Sequence, residues 1–453
     1  MNVYTINGQL HQLIKNTEPQ KLLHRLVNDI DRQCDAGEIP LRLAVTRTGE
    51  QDWDYELDVI KVPDGKMTGQ LSSIFSFRKR KFGRTNEFNI AFLVPTGIDC
   101  SIGGHAGDAT PAARLLASVA DNIILHPNVV NASDINEQPA NCVYVEGSLI
   151  ARLMMGEISL QKVRSNRILV VTEKRADSAW PVDQVINTAN AANATLGTNC
   201  VKVVVLEKEI SMAMTYAQSG RPNGNIEGLE ELLNVLEKER GHYDAVALAT
   251  KISPAINIEE QFHKYFEGEG PNPWGGVEAT LTHTISSLFK VPAAHAPTME
   301  DMALRMISVG QVDPRKAAEA ISTSYMFCIL KGLHQSPQVI PAAGISYDPS
   351  LISAEDVSCM VIPDHCIGIP TIAALLQGIP VIAVRNNTNL MQNDLAALGF
   401  ETGKLFYADN YLEAAGLACA LKEGIRPASV LRPLAKLPVQ FVGSRNNHHV
   451  YAR

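Results

Sequence analysis

The sequence predicts an α/β protein with two doubly wound (Rossmann-like) parallel-sheet domains and an N-terminal β-rich extension. From residue 89 onward, short apolar runs rich in Val and Ile alternate with helical patterns, which is typical of parallel sheets covered on both faces. The number of these runs fits two sheets better than one. The 453 residues, of which 45% are hydrophobic, are enough to bury two cores.

Residues 1–87 form the predicted N-terminal helix and β-rich extension. Leu22, Leu26 and Ile30 recur at helical spacing and predict one amphipathic helix. The segments LRLAVT (41–46) and YELDVIKV (55–62) are apolar runs separated by polar turns, which favours strands.

Eight apolar runs follow as candidate strands of the two sheets. They are NIAFLV (89–94), NIILH (122–126), VYVE (143–146), RILVV (167–171), VKVVVL (201–206), DAVALA (244–249), VSCMVI (357–362) and PVIAV (380–384). Helical patterns lie between them, at 109–120, 225–240, 314–333 and 371–377.

Polar stretches near residues 161–166 and 334–338 mark the predicted domain boundaries. They give a first α/β domain from 88–165 plus 335–453, and a second from 166–334. Because the chain crosses over twice between these domains, we expect a cleft between them.

Composition excludes several classes of protein. The net charge of −8 and the pI near 5.9 argue against a nucleic-acid binder, which needs a basic surface. The sequence contains neither a secretory signal nor an apolar run long enough to cross a membrane, so it predicts a cytoplasmic protein without a membrane partner. Whether the chain forms a homo-oligomer stays open. The cofactor is unknown, since neither GxGxxG nor GxxxxGK[ST] occurs.

Ligands of parallel α/β sheets bind beyond the carboxyl ends of the strands, and here those loops are rich in glycine and polar residues. Thr110 is a candidate N-cap before Pro111, and glycines before a helix leave N–H groups free for a phosphate or carboxylate. Arg385 could pair such an anion bidentately. The predicted ligand-binding residues are Gly103, Gly104, Gly107, Thr110, Asn128, Asn131, Gly275, Gly276, Glu278, Gly368, Arg385 and Asn386.

Candidate catalytic residues come from the same loops. A thiolate stabilised by a helix N-terminus or an imidazolium is a nucleophile or a base, and imidazole titrates near neutral pH. The alternative for each thiol and imidazole is a buried structural role. The histidines have no metal-ligand spacing, so no metal is predicted. The candidates are Cys100, His105, Asp108, His126, His295, His365 and Cys366.

Several of these loops carry a resemblance to a known family. The segment from Pro95 to Asp134, NPWGGVEA (272–279) and GIPVIAVRNNTN (378–389) resemble an uncharacterised family, a domain of unknown function found mainly in cyanobacteria and plants. The resemblance covers about 88–390 and implies no established activity.

Residues 369–385 also resemble, more weakly, GT-B type glycosyltransferases and sugar-nucleotide epimerases in their helix–GxP–strand–Arg pattern. Asp364-His365-Cys366 stands where those families carry an acidic or Ser-Gly-Gly element.

Together these patterns predict a small-molecule enzyme without assigning its class. It binds a small anionic metabolite in the interdomain cleft and uses Cys and His in acid–base or nucleophilic chemistry, as an isomerase, lyase or hydrolase. Two alternatives stay open: a GT-B-like nucleotide-sugar transferase or epimerase, and a non-catalytic metabolite-binding sensor or assembly factor.

Overall fold

The computed structural model of the chain confirms a mixed α/β fold with parallel sheets. It describes residues 1–11, 19–62, 72–132, 135–175, 179–253, 264–267, 270–298, 311–316, 325–342, 348–440 and 442.

The strands of the described residues fall into five sheets. In chain order they are β1 (Asn2–His11), β2 (Glu38–Thr48), β3 (Asp52–Lys61), β4 (Asn89–Phe92), β5 (Asn122–Leu125), β6 (Asn131–Ala132), β7 (Ile135–Asn136), β8 (Cys142–Tyr144), β9 (Ile158–Gln161), β10 (Arg167–Glu173), β11 (Asn199–Leu206), β12 (Ser211–Tyr216), β13 (Pro222–Glu227), β14 (Ala245–Ala249), β15 (Ala293–His295), β16 (Gln338–Pro341), β17 (Leu351–Ile352), β18 (Val357–Pro363), β19 (Ile367–Gly368), β20 (Val381–Val384) and β21 (Leu405–Ala408).

The α-helices cover the sheets. They are α1 (Pro19–Gln33), α2 (Thr110–Ala117), α3 (Pro127–Val130), α4 (Gly147–Met154), α5 (Trp180–Leu196), α6 (Glu230–Lys238), α7 (Gly275–Phe289), α8 (Met326–His334), α9 (Ile369–Gln377) and α10 (Tyr411–Lys422).

The larger parallel sheet has the strand order β21-β20-β18-β4-β5-β8. All residues of β4, β5 and β20 are buried, as expected for strands covered on both faces. The chain adds β5 and β8 on one side of β4, and β20 and β21 on the other side of β18. The direction of winding therefore reverses between β4 and β18, where open α/β sheets bind their ligands.

The second parallel sheet has the order β11-β10-β14-β15. Its strands come from residues 167–295, whereas those of the larger sheet come from 89–144 and 357–408. The exact domain boundaries stay a prediction.

The N-terminal strands do not form a sheet of their own. Strands β1, β3 and β2 pair antiparallel, but the same sheet takes in β13 and β12 on one side and β19 on the other, in the order β12-β13-β1-β3-β2-β19. The extension is therefore joined by backbone hydrogen bonds to residues 211–227 and 367–368.

Each of the eight apolar runs forms a strand, within about two residues of its predicted ends. The predicted helix over 225–240 is partly wrong, because 225–227 belong to β13 and the helix begins at Glu230. Of the predicted helix over 314–333, Pro314–Lys316 form a 3₁₀ turn, Met326–His334 form α8, and 317–324 lie outside the described residues.

No helix in the described ranges combines the length and the apolar character that crossing a bilayer requires.

Candidate functional site

A cavity of about 200 Å³ opens where the carboxyl ends of both parallel sheets meet. His126 follows β5 and Glu146 follows β8 in the larger sheet, while His295 ends β15 in the second sheet. Helix α7 forms another wall. Polar side chains that leave strands far apart in the sequence therefore face one enclosed space.

One face of α7 lines this cavity. Gly275, Glu278, Ala279, Thr282 and His283 all contribute to the wall. Their spacing of three, four, seven and eight residues places them along one side of an α-helix. The helix therefore presents one carboxylate and one imidazole to the cavity.

His295 and Glu278 form the first histidine–carboxylate pair. Nδ1 of His295 lies 3.0 Å from Oε1 of Glu278, and its Nε2 lies 2.9 Å from the hydroxyl oxygen of Thr250. The imidazole is fully buried, whereas the Glu278 side chain is 24% exposed. Both ring nitrogens are therefore held, with the carboxylate on the open side.

His283 and Glu146 form the second pair, with Nδ1 of His283 2.6 Å from Oε1 of Glu146. Glu146 also caps α4, because its Oε2 accepts from the backbone N–H groups of Ser148 and Leu149. Burial alone would raise the pKa of Glu146, but the His283 imidazole and the Ser148 donors lower it overall. Glu146 is therefore a buried carboxylate at neutral pH.

His126 lies beside the second pair and is neutral. Its Nε2 accepts from the backbone N–H of Val94 at 3.1 Å, so the neutral ring carries its proton on Nδ1. Burial and the neighbouring His283 lower the pKa of His126 to about 4, although Glu146 opposes the shift.

Six of the predicted site residues line this cavity. Asn128 holds the adjoining loop, since its amide donates to the carbonyls of Val94 and Gly103. Asn131 exchanges hydrogen bonds with Tyr144. The six are His126, Asn128, Asn131, Gly275, Glu278 and His295.

The glycines of the loop after β4 serve packing. A Cβ on Gly103 would lie 2.6 Å from Val94 Cγ1, one on Gly104 2.2 Å from the Cys100 carbonyl oxygen, and one on Gly107 2.1 Å from Ala132 Cβ. Gly103 and Gly107 also have positive φ. Asp108 belongs to this packing, because its carboxylate accepts from the N–H of Gly103 at 2.7 Å.

The interpretation of Thr110 as an N-cap is wrong. Helix α2 begins at Thr110 itself after Ala109, and the Thr110 hydroxyl donates to the carbonyl of Val129. At the start of α7, Asn272 Oδ1 accepts from the N–H groups of Trp274 and Gly275. The backbone N–H groups of Trp274 and Gly275 are therefore already bonded to a side chain of the protein and are not free for an anion.

Gly276 packs against backbone rather than approaching a ligand, because a Cβ there would lie 2.0 Å from the carbonyl oxygen of Pro222. Gly368 precedes α9 and lies on a neighbouring cavity, near the carbonyl of Leu43.

The two candidate thiols are buried and interact with each other, and neither lines the cavity that holds the histidine–carboxylate pairs. Burial raises the pKa of both Cys100 and Cys366 well above the ordinary thiol value, and the charge of nearby carboxylates adds to the shift. Neither is a thiolate at neutral pH. The environment expected for a thiolate, an imidazolium or a free helix N-terminus, is therefore not the one that the structure provides.

His105 lies apart from the paired histidines. Its Nδ1 is 2.9 Å from the Tyr265 hydroxyl, and burial together with Lys316 and Arg315 lowers its pKa to about 4. His365 is half exposed and its Nδ1 contacts the carbonyl of Asn393.

Arg385 and Asn386 are exposed at the end of β20 and line neither this cavity nor its neighbour. The guanidinium of Arg385 stacks over the ring of Tyr407 and lies 3.5 Å from Asp409. The predicted convergence of Arg385 on the cleft is therefore wrong.

Sequence reasoning missed Glu146 and His283 as site residues. Glu146 is the last residue of the predicted strand at 143–146, and His283 lies five residues after Glu278 on α7. The position of Glu146 at a strand end and the helical spacing of His283 from the other residues of α7 could have identified both.

Among the described residues, no three His, Cys, Asp or Glu side chains are grouped closely enough to hold a metal ion.

The buried neutral histidines predict acid sensitivity. Because the pKa of His126 falls from about 6.5 in the unfolded chain to about 4, the unfolded state binds more protons between these values. The free energy of unfolding should therefore decrease as the pH falls from 6.5 to 4, by on the order of 3 kcal/mol for His126. Urea unfolding at several pH values measures it.

His126→Gln should weaken this pH dependence, while His24→Gln, at an exposed position, should leave it as in the wild type. An equal slope for His126→Gln and wild type would contradict the assignment.

Comparison with known proteins identifies the family of this chain but no activity. A Synechococcus protein described as an uncharacterised lipoprotein is 32% identical over 343 residues, which cover 75% of this chain and 92% of the relative. No solved structure matches the chain significantly. Residues 89–431 match a family described as a protein of unknown function, DUF3326, in agreement with the resemblance noted from the loops. The chain therefore belongs to the DUF3326 family.

Proposed function

We propose that this protein is an enzyme that transfers protons on a small metabolite, as an isomerase or lyase, in a cavity between two Rossmann-like domains. One observation carries the proposal: two histidine–carboxylate pairs, His295–Glu278 and His283–Glu146, face the same cavity. A carboxylate beside one nitrogen of an imidazole orients the ring.

Two such pairs suit a reaction with one proton removed and one returned. The two groups that can meet the substrate are Nε2 of His283, the ring nitrogen away from Glu146, and the carboxylate of Glu278, which the buried His295 holds. One of them takes a proton from carbon or oxygen of the substrate, and the other delivers a proton to a second atom. The proton count of substrate and product is then equal in an isomerisation. In an elimination the delivered proton leaves with the departing group.

The charge of the cavity favours an uncharged reacting group. Its described lining includes the carboxylates of Glu146 and Glu278 but no Lys or Arg side chain. Carbonyl and hydroxyl groups can accept from a protonated imidazole, and a hydroxyl can donate to a neutral one. We therefore propose a hydroxyl- or carbonyl-bearing end of the substrate in this cavity, in place of the anion expected from the loops.

Solvent deuterium tests this proposal and identifies the substrate at the same time. The purified protein is incubated with a metabolite extract in D₂O, and mass spectrometry detects any compound that gains deuterium. We expect one compound class to be labelled. His283→Gln and His295→Gln should each slow labelling by about 10²-fold or more, because the first removes an acid–base group and the second removes the imidazole that holds Glu278.

His242→Gln is the matched control, since His242 is exposed on a turn before β14. It should label at the wild-type rate. Tight binding of a metabolite without any labelling would instead support the non-catalytic sensor. Protection from thermal unfolding by a UDP-sugar would support the transferase.

A further inference from the structure

A second cavity, of about 160 Å³, lies next to the catalytic one. Pro95, Thr96 and Ile98, which follow β4, form one side, and the residues from Cys366 to Thr371, which follow β18, form another. It therefore occupies the point where the winding of the larger sheet reverses, the usual position of a ligand in such sheets. The proton-transfer proposal makes no use of it.

Aliphatic side chains form most of its wall. All of these side chains are buried although they surround an open space. They are Leu41, Leu43, Val45, Ile74, Leu93, Ile98, Ile362, Ile367, Ile369 and Met391.

The arginines of this cavity are neutralised by the protein. Arg42 and Arg221 pair with the buried carboxylates of Asp58 and Glu56, at 2.5 and 2.6 Å respectively. The guanidinium of Arg152 lies 2.5 Å from Glu157. No net positive charge is therefore offered to a bound anion, and an uncharged apolar group fits this wall best.

The two cavities share one wall. Thr96, His126, Gly147, Ala279 and His283 line both of them. The two cavities are therefore adjacent, and a molecule that reached past these shared residues would place one end beside the histidine–carboxylate pairs and the other among the aliphatic side chains.

We propose that the substrate is amphipathic, with a compact hydroxyl- or carbonyl-bearing end in the first cavity and an uncharged aliphatic group in the second. The assignment of the polar end rests on the proposed function. The N-terminal strand β2 supplies Leu41, Leu43 and Val45 to the aliphatic wall, outside the 89–431 region shared by the family. The aliphatic group is therefore recognised partly by the N-terminal part of this chain.

A homologous series of primary amides, from propanamide to octanamide, tests the proposal by calorimetric titration. The amide group serves as a stable polar end. Each added methylene should strengthen binding about fourfold, the value for burying one CH₂, until the second cavity is full. Affinity that does not rise with chain length would overturn the proposal.

Two variants locate the aliphatic group. Ala151→Leu places a larger side chain on the wall of the second cavity and should end the chain-length dependence while leaving propanamide binding unchanged. Met391→Ala enlarges the cavity and should move the plateau to longer amides. An unchanged plateau in both variants would place the chain elsewhere and contradict the proposal.

Glu278→Gln alters only the cavity that holds the polar end of the amide. It should therefore weaken the binding of all amides by a similar factor. The two proposals are separated by comparing the amide series with deuterium labelling. Chain-length dependence without any deuterium labelling would leave the second cavity as a binding site and refute the proton-transfer chemistry. Labelling without chain-length dependence would support the proton-transfer chemistry and refute the second cavity as the site of an aliphatic group.

Discussion

Gly276→Ala is expected to lower the free energy of unfolding by about 3 kcal/mol or more. A Cβ at this position would lie 2.0 Å from the carbonyl oxygen of Pro222 and 2.5 Å from its carbon. Both are backbone atoms of β13, so no side chain can rotate away. Gly224 on the same strand makes the matching approach, since its Cβ would lie 2.6 Å from Val277. Helix α7 and β13 can be this close only with glycine on both sides.

Gly416→Ala is the matched control and should have the opposite sign. Gly416 is an exposed residue within helix α10, and a Cβ there would meet no described atom within 4 Å. Alanine is a better helix former than glycine, so this variant should gain about 0.5–1 kcal/mol. Urea unfolding measures both variants. A Gly276→Ala variant as stable as wild type would contradict the close approach.

The close contact between α7 and β13 at Gly276 also positions the candidate site. Glu278 and His283 follow Gly276 on α7, and their partners His295 and Glu146 lie on other elements. A helix displaced from β13 would lengthen both histidine–carboxylate contacts. In the fraction of Gly276→Ala that folds, deuterium labelling should therefore be slower than in wild type.

The strands of the parallel sheets could be predicted because burial on both faces leaves a continuous apolar run. RILVV and DAVALA are examples, and both form strands of the second sheet. Strands β12 and β13 escaped prediction. Asn223, Gly224 and Asn225 have low strand propensity, and Pro222 begins β13. Pairing of β13 with β12, and at Ile226 with β1, overrides these local preferences.

The candidate site was predicted only in part. The strand-end argument identifies His126, Glu278 and His295, which do share a cavity. It gives the wrong environment for Cys100 and Cys366, because the residues next to a thiol in the sequence do not reveal how deeply it is buried. The prediction that Arg385 lies in the cleft assumes that residues after all strands of a parallel sheet come together, because the strands end at the same edge. That edge is wide, however, and β20 is three strands away from β5.

Arg221→Met is expected to cost about 3–5 kcal/mol of the free energy of unfolding. Arg221 is buried, with Nε 2.6 Å from Glu56 and a second nitrogen 3.7 Å from Asp58. Both carboxylates are buried too. Burial would raise the pKa of Asp58, but Arg42 and Arg221 hold it below its ordinary value. Removing Arg221 leaves the buried charge of Glu56 with only the donors of Ser219, and methionine preserves most of the volume.

Arg47→Met, on β2 of the same sheet, is the matched control. Arg47 pairs with Asp54 at 2.6 Å, but the Arg47 side chain is 45% exposed. Water therefore replaces the lost partner, and the expected cost is about 0–1 kcal/mol. Chemical unfolding of both variants at pH 7 measures the difference. Equal losses would mean that Arg221 contributes by packing and not by its charge.

The pH dependence of the Arg221→Met deficit distinguishes charge from packing directly. Without Arg221, only Arg42 of the two arginines still lowers the pKa of Asp58, which therefore lies above its wild-type value, and the folded variant takes up a proton at higher pH than the wild type. The stability difference from wild type should therefore shrink as the pH falls into the acid range, whereas a packing defect is independent of pH. Glu56→Gln in the Arg221→Met background should recover part of the loss at pH 7, because the buried charge that Arg221 paired is then absent.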